Sequence, residues 1–501
     1  MDIVLATINA KWIHPSLALR LLKANLGNLE ENCGILEFAL RQPLSEKVNP
    51  ILDARPVLLG ISVSIWNHAA TIELLKALLK ALDEKWGAGP ELPKRPIVVL
   101  GGPEVSWLNE DAEIFRYSDF VIRGEAENSF RNLCYEVLSE KRQDNVKRKA
   151  PVFINPVYKN RVFINRGDTT VNVQTLASAY RLYTDEDLQK KLVYVEASRG
   201  CPFGCEFCLS SAIHLNGIMP VREFPLEPFL TEMGELIDRG ARIFKFLDRT
   251  FNLNMDRVKR IMEFFLGRIE AAPKHEKPLC VHFEMVPARF PSELKKLLCR
   301  FPRGTLRIET GIQTFNPETA KLINRAGDMA EEIETLKFLC RESNAIIHAD
   351  LIAGLPGENL ASFGTGFNLL WGTLSGNNLF EIQLGILKCL PGTPIARHNK
   401  AYGMRFSPDP PYEIIETGAI PEPDLARIKN FARFWELIVN RNPFPEILSC
   451  LLAPGEPVFD KFMLLSDRLL KHFGRNWGID REELRSHLKE ILEEIINKIK
   501  P

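Results

Sequence analysis

Three cysteines with unusual spacing are the residues of this sequence best suited to chemistry. Cys201, Cys205 and Cys208 are separated by three and then by two residues, which places three thiolates on one short loop. Thiolates are the usual ligands of iron–sulfur clusters, and three of them hold three corners of a four-iron cubane. The next cysteine is Cys280, so one iron is left open to a non-protein ligand. A structural zinc site is the alternative, but closed zinc sites use four protein ligands, usually in paired C-x2-C steps.

The composition limits the class of protein. The chain has 501 residues, enough for two or three domains, and contains 64 basic and 64 acidic residues. No overall charge therefore attracts nucleic acid or a membrane surface. Ten cysteines scattered along the chain, with three in one loop, indicate a reduced, cytoplasmic protein with one metal site. We expect neither a signal peptide nor a transmembrane helix, because no apolar run reaches about 18 residues.

The first part of the chain alternates short apolar runs with amphipathic segments, which predicts a doubly wound, parallel α/β sheet. The clearest helical patterns are Ala69–Leu82 and Ala126–Leu138. Ligands of such sheets bind beyond the carboxyl ends of the strands, where glycines such as Gly101 and Gly102 let backbone approach a ligand closely. The predicted strands are Ile3–Ile8, Ile35–Phe38, Val57–Val63, Pro96–Leu100 and Phe120–Ile122.

A charged run, Lys141–Lys149, precedes a second α/β alternation. This run could contact nucleic acid, although a solvated linker is the simpler interpretation. Six further strands with helices between them predict a partial (β/α)6 barrel, and the cysteine loop follows the first strand, at the carboxyl end where barrels perform chemistry. From about Pro421 onward only helical patterns remain. The six predicted strands are Val193–Glu196, Arg242–Leu247, Leu279–Glu284, Thr305–Thr310, Ala345–Leu351 and Glu381–Leu387.

Several segments of this second region resemble radical S-adenosylmethionine (SAM) enzymes, in particular their oxygen-independent coproporphyrinogen dehydrogenase branch. The cysteine run, with Phe207 before its last cysteine, resembles the radical SAM signature. Glu284 lies in a Glu-x-x-Pro run and Gln313 in Gly-Ile-Gln-Thr-Phe. Arg325 follows 12 residues after Gln313, and Asp350 follows another 25 residues later. The resemblance implies that these five residues bind SAM.

The residue types suit SAM independently of the resemblance. An arginine pairs with the carboxylate of SAM in bidentate geometry, and acidic side chains suit its ribose or its ammonium group. Taken singly, Glu284 and Asp350 are equally well explained as solvent-facing charges at strand ends, and Arg325 as an exposed helix residue. Their joint order favours a binding site. One departure from the branch is the turn after the second strand, which reads Asp248-x-x-Phe251 in place of a glycine-rich turn and resembles radical SAM proteins with cobalamin domains.

The N-terminal region resembles the cobalamin-binding domains of such proteins. The matching segments are Gly60–Ser64, Val98–Ser106 and Val121–Phe130. A Rossmann-like sheet without a ligand is the alternative. The usual Asp-x-His-x-x-Gly loop, whose histidine ligates cobalt, is absent; His14 has the wrong spacing, and Pro15 after it indicates the start of a helix. The resemblance implies cobalamin contacts at Ser62, Ser64, Gly101, Gly102, Gly124 and Glu125.

The chain as a whole resembles cobalamin-binding radical SAM proteins of a branch with an uncharacterised, helical C-terminal domain. We expect a cobalamin-binding domain at residues 1–140, a linker at 141–190, a radical SAM partial barrel at 191–400 and a helical domain at 401–501. The resemblance implies three cofactors: a [4Fe–4S] cluster, SAM and cobalamin.

The resemblance also implies a reaction. We expect a methyltransferase that acts on an unactivated carbon of an unknown small-molecule or peptide substrate, with flavodoxin or ferredoxin as electron donor and no membrane or nucleic-acid partner. Rearrangement or oxidation without methyl transfer stays open, as does non-catalytic cofactor sensing. A tRNA-modifying methylthiotransferase is also conceivable, but the sequence has no evident RNA-binding module and no second cysteine cluster in its N-terminal domain.

Overall fold

The structure is a computed structural model that describes residues 1–86, 95–143, 162–164, 170–212, 220–273, 277–325, 327–375, 380–452 and 457–499. The chain divides into two compact units: residues 1–202 with 212–248 form the first unit, and residues 203–211 with 249–501 form the second. No helix in the described ranges combines the length and the apolar character that a membrane crossing requires. Most of the charged run predicted as a linker lies outside the described residues.

A six-stranded parallel sheet is the core of the first unit. Its strands are β1 (Ile3–Asn9), β2 (Cys33–Ala39), β3 (Leu58–Ser62), β4 (Ile97–Gly101), β5 (Phe120–Ile122) and β6 (Val162–Ile164). They lie in the order β2-β1-β3-β4-β5-β6. Four helices accompany them: α1 (Leu17–Ala24), α2 (Leu44–Ala54), α3 (His68–Trp86) and α4 (Glu127–Gln143).

Apolar side chains on both faces of this sheet explain its two helical layers. One buried cluster joins the sheet to α2 and α3, and a second cluster joins the opposite face to α1 and α4. A strand with both faces covered requires an almost continuous apolar sequence, and every residue of β1 is buried. The prediction of a doubly wound N-terminal fold is therefore confirmed.

The rest of the first unit contains shorter elements. Thr184 and Asp187 form a reciprocal capping box that starts the first helix of this segment. The elements are α5 (Asp185–Lys190), β7 (Val193–Val195), β8 (Ser198–Arg199), β9 (Arg222–Glu223), α7 (Leu226–Asp238) and β10 (Ile243–Phe246). Helix α6 (Leu209–Ala212), directly after the cysteines, belongs to the second unit except for its last residue. Strands β7 and β10 pair in parallel, whereas β8 and β9 pair antiparallel.

A parallel four-strand ladder organises the second unit. Its strands are β11 (Cys280–Glu284), β12 (Leu306–Gln313), β13 (Ile346–Ala353) and β14 (Phe380–Ile386), each paired with the next. Buried and half-buried residues alternate along β12, so one face is apolar and the other carries polar side chains. The associated helices are α8 (Met255–Ala271), α9 (Ser292–Leu298), α10 (Pro317–Leu322), α11 (Met329–Glu342) and α12 (Leu360–Leu374). All six strands predicted for the second alternation are present.

The C-terminal part is helical, as predicted. After a short hairpin, β15 (Arg405–Phe406) and β16 (Ile414–Glu416), the helices are α13 (Glu422–Trp435), α14 (Pro445–Leu451), α15 (Phe459–Phe473) and α16 (Arg481–Ile499). Aromatic rings fix α13 to α12, because Phe367 packs edge-on against both Phe431 and Trp435. The rings of Phe431 and Trp435 are themselves stacked.

Candidate functional site

A buried glutamate anchors the second half of the cysteine loop. Glu206 lies between Cys205 and Phe207 and is only 4% exposed. Its carboxylate hydrogen-bonds with Nε2 of His398 at 2.8 Å and forms an ion pair with Arg397. Burial of a carboxylate is costly unless it is paired, and here two side chains from the turn after β14 supply that pairing.

Backbone contacts fix the same loop at two further points. The Glu206 N–H donates to the carbonyl of Ile323 at 3.1 Å, and its carbonyl accepts from the Ile395 N–H at 3.0 Å. The Asn324 side chain donates to the carbonyl of Gly204 at 3.0 Å. The loop that carries Cys205 and Cys208 is therefore tied to the end of α10 and to the 3₁₀ turn Pro394–His398.

Arg325 reaches from the end of α10 to the cysteine loop and to β12. Its Nη1 lies 3.6 Å from Sγ of Cys205, and its Nη2 donates to the carbonyl of Gly311. The backbone N–H of Arg325 donates to the carbonyl of Ala320 at 2.8 Å, which closes the helix end. The guanidinium is thus held where it could meet an anionic group beside a cysteine-bound cluster.

Gln313 lies at the irregular end of β12. Its φ is +71°, a left-handed conformation that is uncommon outside glycine, and the pairing with β13 shifts register between Gly311 and Gln313. Its side-chain amide lies over Gly311, beside the Arg325 guanidinium. The Oε1 atom is buried and has no hydrogen-bond partner among the described residues. A buried acceptor without a partner fits a site that a bound ligand completes.

Glu284 and Asp350 lie at the ends of the strands on either side of β12. Asp350 pairs in register with Gly311, which places it next to the Gln313–Arg325 pair. Glu284 ends β11 directly across from Glu309. The structure therefore gathers four predicted SAM residues, Glu284, Gln313, Arg325 and Asp350, at one end of the four-strand ladder.

The remaining predicted residues of the cysteine loop are also in the described ranges. Phe207 and Cys208 are partly exposed, and the Cys208 N–H donates to the carbonyl of Cys205 at 3.1 Å. Cys201 belongs to the first unit and follows Gly200, whose φ is +108°. The described residues contain no group of three acidic, histidine or cysteine side chains that could hold a single metal ion. In a cubane cluster each thiolate binds a different iron, so a four-iron site does not need such a group.

The polar face of the ladder carries charges that the sequence did not single out. His282 lies 3.2 Å from the carboxylate of Glu309, and Nδ1 of His348 lies 3.1 Å from Glu381. The two imidazole rings stack with their centroids 5.4 Å apart. His348 lies two residues before Asp350 in β13, so the two share a face of the ladder. Glu309 and Glu381 lie in register with His348 on the neighbouring strands, and His282 stacks on it, so all of these residues lie on the face that carries Asp350.

Asp248 lies just after β10, in the turn whose sequence differs from the glycine-rich turn of the coproporphyrinogen dehydrogenase branch. Its side chain is buried in the first unit. It accepts hydrogen bonds from the Ala197 N–H at 2.9 Å and from the Ser198 hydroxyl at 2.5 Å. Burial raises the pKa of Asp248 to about 7, against the opposing effect of these two hydrogen bonds. Its observed role is to shape the backbone just before the first cysteine.

Glu125 lies in a buried network of ion pairs. Its carboxylate contacts Arg222 at 2.5 Å and Arg199 at 3.5 Å, and it accepts from the Val171 N–H at 2.7 Å. Arg199 also pairs with Glu127 at 2.9 Å. These cations lower the pKa of Glu125 despite the opposing and larger effect of burial. Glu125 is one of the six residues predicted to contact cobalamin, and its carboxylate is already hydrogen-bonded and ion-paired within the protein.

The other five residues of that group surround the carboxyl edge of the N-terminal sheet. The Val63 N–H donates to the Gly101 carbonyl at 2.8 Å, which joins the loops after β3 and β4. Gly102 has a φ of +106°, and a Cβ there would lie 2.5 Å from the Val63 carbonyl. The close backbone approach that requires Gly102 is therefore internal. A Cβ at Gly101 would meet nothing nearer than 3.7 Å, and one at Gly124 would meet nothing within 4 Å.

Polar side chains stabilise these loops. Asn67 accepts from the Ser64 N–H at 2.8 Å and donates to carbonyls of Ile8 and Ser62. The Ser106 hydroxyl donates to the Gly102 carbonyl at 2.8 Å and accepts from the Gly124 N–H at 3.1 Å. The predicted residues Ser62, Ser64, Gly102 and Gly124 thus belong to one hydrogen-bonded edge.

His14 does not start a helix. Helix α1 begins at Leu17 with Ser16 as its N-cap, so the prediction from Pro15 was wrong by two residues. The Nδ1 of His14 lies 2.8 Å from the hydroxyl of Tyr194. Burial, followed by the nearby Lys11 and Lys245, lowers its pKa.

Sequence reasoning missed several supporting residues. Glu206 was visible within the cysteine run, but its partners Arg397 and His398 lie about 190 residues away in the chain. His68 pairs with Glu104 at 2.9 Å and so joins two loops at the sheet edge, but the spacing of these two residues in the sequence does not indicate that they pair. Asn324 could have been named as a supporting residue, because it directly precedes the predicted SAM ligand Arg325 in the sequence.

Comparisons with known proteins agree with this geometry. Residues 195–370 match the radical SAM superfamily, and residues 400–500 match a family described as a protein of unknown function (DUF4080). The chain is 22% identical over 302 residues to a bacteriochlorophyllide d C-12(1)-methyltransferase of Chlorobaculum tepidum. That match covers 60% of this chain and 59% of the relative.

A second relative and one solved structure extend the likeness. A 2-(S-pantetheinyl)-carbapenam-3-carboxylate methyltransferase of Streptantibioticus cattleyicolor is 24% identical over 368 residues, 70% of this chain and 50% of the relative. The chain thus spans between half and three fifths of the length of these curated relatives. The cobalamin-dependent SAM radical enzyme OxsB, solved with aqua-cobalamin and SAM, shares the fold over 99% of this chain and 75% of its own, with a TM-score of 0.60 and 15% identity.

Proposed function

We propose that this radical SAM protein is a cobalamin-dependent enzyme that transfers a methyl group to an unactivated carbon. The observation that carries the proposal is the arrangement around Arg325, whose guanidinium contacts Cys205 on one side and the end of β12 on the other. A family-typical cysteine loop is thereby joined directly to the residues that suit SAM. The two methyltransferase relatives support methyl transfer as the reaction class.

The residues fit the three cofactors in different ways. Cys201, Cys205 and Cys208 supply three thiolates for a [4Fe–4S] cluster and leave one iron for SAM. The orphaned Oε1 of Gln313, beside Arg325, fits a polar ligand that completes its hydrogen bonding. The open space over Gly124, and the absence of any close contact at Gly101, fit a ligand that lies against backbone. When bound, the cluster and SAM supply a carbon-centred radical, and cobalamin supplies the methyl group.

The chain's own contribution is positioning. Arg325 would hold the SAM carboxylate, and Asp350, Glu284 and Gln313 would hold its amino group and ribose. Glu206 fixes the cysteine loop through His398, so the thiolates keep their geometry when the cluster binds. Fixing the reactants in one geometry supplies much of the rate enhancement of an enzyme.

We also propose a flavodoxin or ferredoxin as the one-electron donor, because the cluster must be reduced before SAM is cleaved. A reducing compartment suits thiolate ligands, which supports the cytoplasm as the place of action. The substrate is a small molecule or peptide.

The products formed from SAM test the proposal. The full chain, reconstituted anaerobically with iron, sulfide and hydroxocobalamin, is incubated with SAM and reductant, and the products are separated by liquid chromatography and mass spectrometry. We expect both 5′-deoxyadenosine and S-adenosylhomocysteine, the latter only when cobalamin is present. Formation of 5′-deoxyadenosine alone would indicate rearrangement or oxidation, and absence of both would indicate a sensor.

A further inference from the structure

A large aromatic side chain is exposed at the carboxyl edge of the N-terminal sheet. Trp66 follows β3 and is 53% exposed, although the next residue, Asn67, is fully buried. Its indole Nε1 donates to the carbonyl of Ile8, near the end of β1, at 3.3 Å. The ring therefore extends from the loop after β3 toward the end of the neighbouring strand.

The loop that carries Trp66 is firmly held. The adjacent Asn67 is fully buried, at 0% exposure, and hydrogen-bonds with Ser64, Ile8 and Ser62. A residue next to such an anchor has little freedom to turn its side chain elsewhere. The exposure of Trp66 is thus a property of the fold rather than of a loose loop.

The ring also lies at the position where a ligand is expected. In the sheet order β2-β1-β3, the chain leaves β1 toward β2 on one side and later returns to β3 on the other. Ligands of doubly wound sheets bind in the crevice at this reversal, outside the carboxyl ends of the strands. The Trp66–Ile8 hydrogen bond joins the two strands that border that crevice.

We propose that Trp66 is a platform for the lower face of the corrin ring of cobalamin; this inference rests on the proposed function. The upper face must stay open to substrate and SAM, so the lower face is the one that the binding domain covers. A corrin is broad and largely apolar, and a flat indole offers it a large contact area at small entropic cost.

The platform also accounts for the missing histidine. An indole N–H only donates hydrogen bonds, and that of Trp66 is already used by Ile8, so the ring cannot ligate cobalt. A tryptophan platform would hold cobalamin by contact area and leave the lower axial position without a protein nitrogen. Nδ1 of His14 is hydrogen-bonded to the hydroxyl of Tyr194.

Binding of hydroxocobalamin to single variants of the full chain tests the platform. We expect Trp66→Ala to raise the Kd for hydroxocobalamin about tenfold, and Trp66→Phe, which keeps a flat ring, to raise it only about twofold to threefold. Trp477→Ala is the matched control, since Trp477 is 65% exposed in the C-terminal helical part. A Trp66→Ala variant that binds within about twofold of the wild type would overturn the platform.

A second readout protects the test against misfolding of the alanine variant. Bound corrin quenches the fluorescence of a tryptophan in contact with it, so the fraction of emission lost on cobalamin binding should be smaller in Trp66→Phe than in the wild type. An equal fractional loss would contradict the contact. If the wild-type chain itself fails to bind hydroxocobalamin, the cobalamin part of the proposed function fails, and the platform fails with it; a failure of the platform alone leaves wild-type binding intact.

Discussion

The two parallel sheets of this chain use opposite chemistry at their carboxyl ends. The edge of the N-terminal sheet presents glycines, backbone and the exposed ring of Trp66, and a Cβ at Gly124 would meet nothing within 4 Å. The polar face of the β11–β14 ladder carries charged side chains, and Gln313 there keeps a buried acceptor without a partner in the described residues. A large, mostly apolar cofactor needs room and contact area, whereas a small zwitterion needs fixed charges. The difference indicates two ligands of different kind.

Removal of the cluster ligands should have the largest effect. Replacing Cys201, Cys205 and Cys208 together with alanine should reduce bound iron after anaerobic reconstitution from about four per chain to near zero, because each thiolate holds a separate iron. Iron and sulfide assays measure this. Cys299→Ala is the control, since Cys299 is exposed and belongs to neither site. A triple variant that still binds a full cluster would show that these three cysteines are not the cluster ligands.

The anchor of the cysteine loop comes next. Glu206→Ala leaves the buried His398 side chain without its partner, which typically costs about 1–3 kcal/mol, whereas the Arg397 side chain is 65% exposed and can turn to water. We expect a clear loss of cluster content together with a lower melting temperature. Glu318→Ala, at an exposed ion pair with Lys321, should change neither. Normal iron content in Glu206→Ala would show that the cysteine loop keeps its cluster-binding conformation without the Glu206 contacts.

Arg325 tests the charged half of the comparison. Arg325→Ala should weaken SAM binding about tenfold or more, because a charge-assisted contact to the SAM carboxylate is lost. Iron content should stay near normal, although the contact with Cys205 is also lost. Arg325→Lys should not fully restore affinity, since a lysine cannot reproduce a bidentate fork. The exposed Arg303 provides the control variant, Arg303→Ala. Unchanged SAM affinity, measured by equilibrium dialysis, would exclude Arg325 from the site.

Gly101 tests the small-residue half. Gly101→Val adds a side chain where the nearest atom lies 3.7 Å from the new Cβ, so the sheet should tolerate it while the ligand space shrinks. We expect a several-fold loss of hydroxocobalamin uptake with little change in melting temperature. Gly267→Val, where open space surrounds the Cβ in α8, is the control. Equal hydroxocobalamin uptake by Gly101→Val and Gly267→Val would show that cobalamin does not bind against Gly101.

Asp248 should produce the smallest effect, on stability alone. The folded protein keeps the Asp248 proton up to about pH 7, whereas the unfolded chain releases it near its usual pKa of 3.8. Between these values the folded state binds more protons, so the contribution of Asp248 to stability falls as the pH rises toward 7. The melting temperature of Asp248→Asn relative to the wild type should therefore rise as the pH is raised from about 4 to about 7, and the difference should level off above that. For the control Asp256→Asn, at an exposed position, the difference in melting temperature from the wild type should not change with pH. A difference that does not change with pH for Asp248→Asn would refute the raised pKa.

The fold was largely predictable from the sequence, because its strands are short apolar runs between glycines and helices. The motifs also allowed Arg325 and Asp350 to be named in advance as candidate SAM ligands, and their role in binding stays a prediction. Partners brought together from distant parts of the chain could not: Glu206 gives no sign that His398 will approach it. The contact between Gly102 and the backbone of Val63 could not be predicted either, because only the folded loops bring these residues together.

One electron paramagnetic resonance experiment tests the central claim, that the chain holds a SAM-binding cluster and a separately bound cobalamin. The full chain is reconstituted with iron, sulfide and hydroxocobalamin, desalted, reduced with dithionite and measured with and without SAM. We expect a cluster signal that changes when SAM binds to the open iron, together with a cob(II)alamin signal that lacks nitrogen splitting from a protein histidine. A cluster signal indifferent to SAM, or loss of cobalamin on desalting, would contradict the account.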